Sequence, residues 1–232
     1  MPQETRINHE HFTEFLPLLA DDLLDELAAC MGKAWKKMVK GEPIHKFTPS
    51  ELADLGEATN HIVMALQTGL LLVKHQKELA DVALSIFESR GVSVDEMWQN
   101  VMEVYHQFLR VACEEHSERD RISPNHFRKF LLYFADGQLK EMSKYMDNEW
   151  KKGWGKRENP FRLKPGEKAK LVTVGNSATV PIIVGLLIAK RQPELLGVDW
   201  SIGVSVDVLW ERILRTYRSL LYYKHFVEGK PS

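Results

Sequence analysis

Apolar residues recur along this chain at the spacing of an α-helix. Phe12, Phe15, Leu16, Leu19, Leu23, Leu27, Cys30, Met31 and Ala34 fall three or four apart and make one stripe. The pattern predicts a first helix from about residue 9 to 40, with room for a break, closed by Gly41-Glu42-Pro43. Asn8 is placed to cap it, with Ile7 before the cap and Phe12 at the fourth helical position, the spacing of a hydrophobic staple. Thr48-Pro49-Ser50-Glu51 reads as a second start: Thr48 caps, Pro49 loses no hydrogen bond in the first turn, and Glu51 can reach back to the cap. Apolar residues then continue through Phe87, with Gly56 and Gly69 as kink points. Ser93 opens a further helix, with Glu96 in its first turn and Met97, Val101, Val104, Tyr105, Phe108 and Leu109 facing inward. It ends near Glu118, and the polar run Ser117 to Asp120 follows as a linker.

The same pattern then begins again. Gly91-Val92-Ser93-Val94-Asp95 recurs as Gly203-Val204-Ser205-Val206-Asp207, and Trp98, Val101, Tyr105 and Leu109 are answered by Trp210, Ile213, Tyr217 and Leu221. The run from Gly69 to Leu79 matches Gly185 to Leu195. Arg6-Ile7, His11-Phe12, Phe15-Leu16, Ala20-Asp21, Glu26, Met31 and Trp35-Lys36-Lys37 match Arg121-Ile122, His126-Phe127, Phe130-Leu131, Ala135-Asp136, Glu141, Met146 and Trp150-Lys151-Lys152. Three collinear blocks at nearly constant offset signal an internal duplication. Ser123, Ile122 and Phe127 repeat the cap and staple of the first copy.

The copies part company at 170–179. Lys170-Leu171-Val172-Thr173-Val174-Gly175-Asn176-Ser177-Ala178-Thr179 is rich in β-branched and small residues, which favour extended chain or turn. Pro181 suits the first turn of a new helix, so the second copy is expected to interrupt its long helix here with a loop.

Composition agrees with a globular chain: 232 residues, 44% hydrophobic and 27% charged. A net charge of -1 supplies no global field to gather nucleic acid or anionic lipid. The N-terminal residues have no apolar core of the kind a signal peptide needs, and the longest strongly apolar run, Val180 to Ala189, is short for a membrane span. Cys30 and Cys113 lack cysteine counterparts in the second copy, where Tyr145 and His225 stand, and read as thiols in a reducing cytoplasm.

Known chemical signatures are missing. His9 and His11 point to different faces of a helix and make no chelating pair, and Glu115-His116 is no better. No phosphate-binding loop, nucleophile elbow or dinucleotide fingerprint occurs. Gly175-Asn176-Ser177 could present amides to an anion ahead of a helix at Pro181. Asp21-Asp22 reads as solvated charge. The most visible cluster is basic and aromatic: Lys33, Trp35, Lys36, Lys37 and Lys40, answered by Trp150, Lys151, Lys152, Trp154, Lys156 and Arg157. Cations near a helix C-terminus complement its dipole without any ligand, and stacking on single-stranded nucleic acid is the competing explanation.

The segment Lys46-Phe47-Thr48-Pro49-Ser50-Glu51-Leu52, following the Trp35-bearing helix, resembles the N-terminal sensor module of RsbR-type stressosome proteins and certain histidine kinases. There a "GFSPSEL"-like helix start leads into a long apolar helix and a final aromatic helix. The matching stretches here are Ile62 to Phe87 and Trp98 to Leu109. The resemblance covers most of the first copy and, less closely, the second. It implies a helical, globin-like regulatory module without a chemical active site. That family's modules usually precede an output domain, which this sequence does not show, leaving regulation through protein contacts.

The expected fold is therefore all-α: a three-to-four-helix module in tandem, residues 1–118 and 119–232, packed as a pseudo-twofold pseudodimer. The expected function is that of a non-catalytic regulatory or adaptor protein in the cytoplasm, acting through a protein partner. The alternatives are a small-molecule or cofactor sensor with a pocket between helices, and a helical enzyme with its site in the 172–180 loop. No cofactor and no metal are predicted, nucleic acid is the least favoured partner, and a homodimer is compatible with the pattern. Trp35, Lys36, Lys37, Trp150, Lys151, Lys152, Asn176, Tyr105 and Tyr217 are the candidate partner- or ligand-binding residues, with Trp98 among the pocket-lining aromatics.

Overall fold

The computed structural model describes residues 6–89, 91–112, 121–146 and 165–226. Among these the chain is all-α, with no strand. In order come α1 (Phe12–Cys30), α2 (Lys33–Val39), α3 (Pro49–His75), α4 (Glu78–Ser89), α5 (Val94–Ala112), α6 (Pro124–Ser143), α7 (Pro165–Arg191) and α8 (Val206–Phe226), with 3-10 turns at His9–His11, Ile44–Lys46 and Pro193–Gly197.

The middle of the molecule is the crossing of α3 and α7, the most extensive helix contact in the fold. Both are buried all round where they meet: Ala65 to Val73 on α3 and Pro181 to Ala189 on α7. Helices buried on every face lose the amphipathic stripe and become uniformly apolar, which is why both sequences read as continuous hydrophobic runs. At the crossing, Gly69 faces Gly185. A Cβ built on Gly69 would lie 2.7 Å from the Leu186 amide nitrogen and 2.9 Å from the Gly185 Cα, and closer still to the Ile182 carbonyl oxygen. A Cβ on Gly185 would meet the Leu66 carbonyl oxygen in the same way. Gly69 is thus no kink: its missing side chain lets two backbones touch.

Helices α1 and α6 each pack on both central helices. The final helix of each half crosses to the other: α8 lies on α1 and α3, and α5 lies on α6 and α7. One continuous apolar core results, drawing Phe12, Phe15 and Leu66 from the first half and Phe127, Phe130 and Leu187 from the second.

Local signals explain most boundaries. Thr48 and Glu51 form the reciprocal capping box at the start of α3. Ser93 and Ser205 accept from the amides of Glu96 and Val208. Gly91 and Gly203 precede these caps with φ of 79° and 75°, a left-handed conformation that side chains disfavour. The first helix breaks at Met31 and Gly32, giving α1 and α2 rather than one rod. The apolar run expected through Phe87 also breaks, at Gln76. There the buried Gln76 side chain leaves the helix pattern to clamp Ile7, accepting from its amide (2.6 Å) and donating to its carbonyl (2.9 Å). Gln192 clamps Ile122 in the same manner.

The expectation of a loop at 170–179 is overturned: these residues lie inside α7, which runs unbroken through Pro181. Thr173, Ser177 and Thr179 return their hydroxyls to the carbonyls of Ala169, Thr173 and Asn176, so the polar side chains are accommodated within the helix. Proline inside a helix costs about 3 kcal/mol, and each apolar side chain buried between Ile182 and Ala189 returns about 1.5–3 kcal/mol. Tertiary burial therefore outweighs local propensity. The stretch Val172–Arg191 is long and apolar enough to cross a membrane, with mean hydropathy 1.9, but 61% of its 18-residue apolar window is buried inside the fold, as in a core helix.

Candidate functional site: an acidic groove along the first helix

The helices that carry the first and last turns of the fold leave a groove between them. Glu14, Leu18, Asp21, Asp22, Asp25 and Glu26 of α1 form one wall. Arg212, Arg215, Thr216, Ser219, Leu220 and Tyr223 of α8 form the other, and the open groove has a volume of about 980 Å³. Five carboxylates against the Arg212 and Arg215 guanidiniums, with Lys224 paired to Glu14, leave the lining an excess of acidic side chains in a chain that is nearly neutral. From Glu14 to Glu26 the α1 wall spans roughly 18 Å at 1.5 Å per residue, the reach of about five extended residues.

The walls are tied together at fixed points. Arg212 reaches Glu26 (2.7 Å), the Thr216 hydroxyl donates to Asp22 (2.8 Å), and Lys224 pairs with Glu14 (2.7 Å). Glu26 also lies 2.9 Å from His61 Nδ1 on α3. Burial alone would raise the Glu26 carboxyl, but the adjacent His61 ring and then the Arg212 charge outweigh it and hold the group below its usual 4.5. Beneath this ion pair the groove narrows to a cleft of about 30 Å³ between His61, Met64, Thr68 and Ile182, too small for an organic ligand.

The sequence-derived candidates lie elsewhere and do not converge. Trp35 is buried and donates its indole N–H to the Met146 carbonyl (2.7 Å), so it anchors one half to the other instead of offering a stacking face. Lys37 is engaged within the fold, pairing with Glu51 (2.7 Å), donating to the Lys46 carbonyl and sitting over the Phe47 ring. Lys36 is exposed, and Trp150, Lys151 and Lys152 lie outside the described residues. Asn176 is exposed on α7, not in an anion-binding loop.

Tyr105 and Tyr217 are both buried and hold the crossing helices in place. The Asn8 amide donates to the Tyr217 hydroxyl (2.9 Å), which also meets His11 Nδ1 (2.9 Å). The Ser123 amide donates to Tyr105 (3.0 Å), which meets His126 Nδ1 (3.0 Å). His11 and His126 thus meet partners far away in the sequence. Trp98 and Trp210 sit half-buried at the core's edge, and Trp210 stacks on His75 at 3.9 Å between ring centres.

Sequence reasoning missed the groove because it treated Asp21-Asp22 as solvent-facing. The signal was present: five acids share α1, with Asp21 and Asp25 one turn apart and Asp22 and Glu26 likewise. No family model, curated protein or solved structure matches the chain.

Proposed function

We propose that the protein is a non-catalytic regulatory or adaptor module that binds a partner protein, and that the α1–α8 groove receives a basic segment of that partner. The groove's acid-rich lining carries this reading: it is open, peptide-length and of one dominant sign, with Leu18 and Leu220 as apolar contacts along it. The RsbR-type resemblance supports it, since it too implies regulation by protein contacts. The matched Tyr–His and Gln clamps of the two halves support the pseudo-twofold duplication as the scaffold. The enzyme alternative loses its loop, because 172–180 is helical.

Capture from native extract tests the proposal. The intact protein should retain a specific, salt-eluted partner. The double variant Asp21→Lys, Asp25→Lys should lose it while keeping its helical circular dichroism spectrum. Equal recovery with the folded variant would refute the groove as the docking site.

A small-molecule sensor is the second reading. It rests on a pocket of about 290 Å³ lined by Arg6, Asn8, His9, Gln76, Glu78 and Tyr217, close to the lower size of ligand sites. Thermal shifts across a panel of small anions test it; an unchanged midpoint throughout counts against it.

A further inference from the structure

Two pairs of potential metal ligands face each other where α1 meets α3. Glu26 and Cys30 are one turn apart on α1, and Glu57 and His61 are one turn apart on α3. The i,i+4 spacing puts each pair on a single helix face. His61 bridges the two: its Nδ1 lies 2.9 Å from Glu26, and its Nε2 lies 3.9 Å from Glu57. A donor atom from each of Cys30, Glu57 and His61 lies within 4.8 Å of the other two.

We infer that Cys30, Glu57 and His61 form a binding site for a divalent metal of the zinc class, with Glu26 as the residue that positions His61. Thiolate, imidazole and carboxylate together suit a borderline-soft ion better than magnesium or calcium. Ligand atoms on one tetrahedral zinc stand about 3.3–3.7 Å apart, given bonds of about 2.0–2.3 Å. The Nε2 to Glu57 separation is already close to that, and the Cys30 thiol, within 4.8 Å of both, must draw in on binding. A carboxylate on the far nitrogen of a metal-binding histidine fixes the ring and its tautomer; Glu26 stands 2.9 Å from His61 Nδ1 but makes no well-aligned hydrogen bond with it, so the ring must turn for Glu26 to take that role. Cys30 is the last residue of α1, where the helix dipole favours a cation. On binding, the Cys30 thiol gives its proton to solvent and coordinates as thiolate.

The second half has no such set. Glu26 and Cys30 are answered by Glu141 and Tyr145, and the positions 116 residues beyond Glu57 and His61 hold Thr173 and Ser177. The site therefore belongs to the first half alone. It stands independently of the groove's partner.

Titration of the chelator-stripped full chain with Co²⁺ tests the inference. A thiolate charge-transfer band in the near ultraviolet and tetrahedral visible bands should appear and be displaced by Zn²⁺. Cys30→Ser should abolish the charge-transfer band, which also separates this thiol from Cys113, a residue outside the described set. Glu57→Gln lies on the surface and should leave the fold intact while weakening Co²⁺ binding at least about tenfold, and Glu26→Gln should weaken it about 10–100-fold. Glu88→Gln, an exposed carboxylate on α4 outside both the groove and the cluster, should leave Co²⁺ affinity unchanged. A folded wild-type chain without the tetrahedral spectrum overturns the inference. So does a charge-transfer band that survives in Cys30→Ser, or affinity unchanged in both Glu57→Gln and Glu26→Gln.

Discussion

Gly69 and Gly185 meet back to back, each occupying space the other's side chain would need. Gly69→Ala or Gly185→Ala must separate the two central helices or distort them. Overpacking of a core typically costs about 1–3 kcal/mol, and here the clash is with backbone, so a loss of at least about 3 kcal/mol in urea denaturation is expected. Gly56 lies in the same helix with open space around it, and Gly56→Ala should instead stabilise by about 0.5–1 kcal/mol. Near-equal midpoints for Gly56→Ala and Gly69→Ala would contradict the close crossing.

Tyr105→Phe and Tyr217→Phe remove only the hydroxyls that receive the Ser123 and Asn8 amides. Each leaves a half-buried amide and a histidine nitrogen without that partner, a cost of about 1–3 kcal/mol. Amide exchange at Asn8 should accelerate in Tyr217→Phe, and at Ser123 in Tyr105→Phe. Exchange unaltered at both would remove the tyrosines from their assigned role.

Gln76→Ala and Gln192→Ala each unclamp a buried backbone amide and carbonyl, at Ile7 and Ile122 respectively. About 2 kcal/mol or more is expected for each. The measurable sign is a lowered thermal midpoint that Gln→Glu fails to restore, because carboxylate cannot donate to the carbonyl. Full rescue by glutamate at neutral pH would argue against the two-way clamp.

His75 offers a pH test. Stacking on Trp210, which strips water from one face of the otherwise exposed ring, and then the Lys74 ammonium push its imidazole below the usual 6.5, against the opposing pull of Asp207. The folded state thus prefers neutral histidine, and the unfolded chain takes up the proton first as pH falls. His75 contributes stability that is present above pH 6.5 and is lost as pH drops through the lowered folded value. Nuclear magnetic resonance titration of the ring should give a midpoint under 6.5. The stability gap between wild type and His75→Gln should narrow on acidification. A midpoint above the ordinary value would reverse the sign and defeat the account.

What could be read from the residues, and what could not, divides by range. The Thr48–Glu51 box and the Gly91 and Gly203 turns are decided within a few residues, so composition at those positions announces them. At 170–179 the same kind of local reading failed, because weak preferences of Val172, Thr173 and Ser177 yield to the burial of the neighbouring turns. The Tyr217–His11 bond joins residues 206 apart, and no local rule reaches that far. The acidic wall and the Cys30–Glu57–His61 cluster fall between these cases. Their one-turn spacing was visible, but only the packing of α1 against α3 and α8 shows that the faces turn toward one another.

The crossing of the last helix onto the first also sets a schedule for the nascent chain. Asn8 must wait for Tyr217, 209 residues later, before its amide finds the hydroxyl that satisfies it. At about 5–20 residues per second, translation separates the two by on the order of 10–40 s. Throughout that interval the apolar face of α1 that α8 will cover stands open to solvent or to whatever else can shield it.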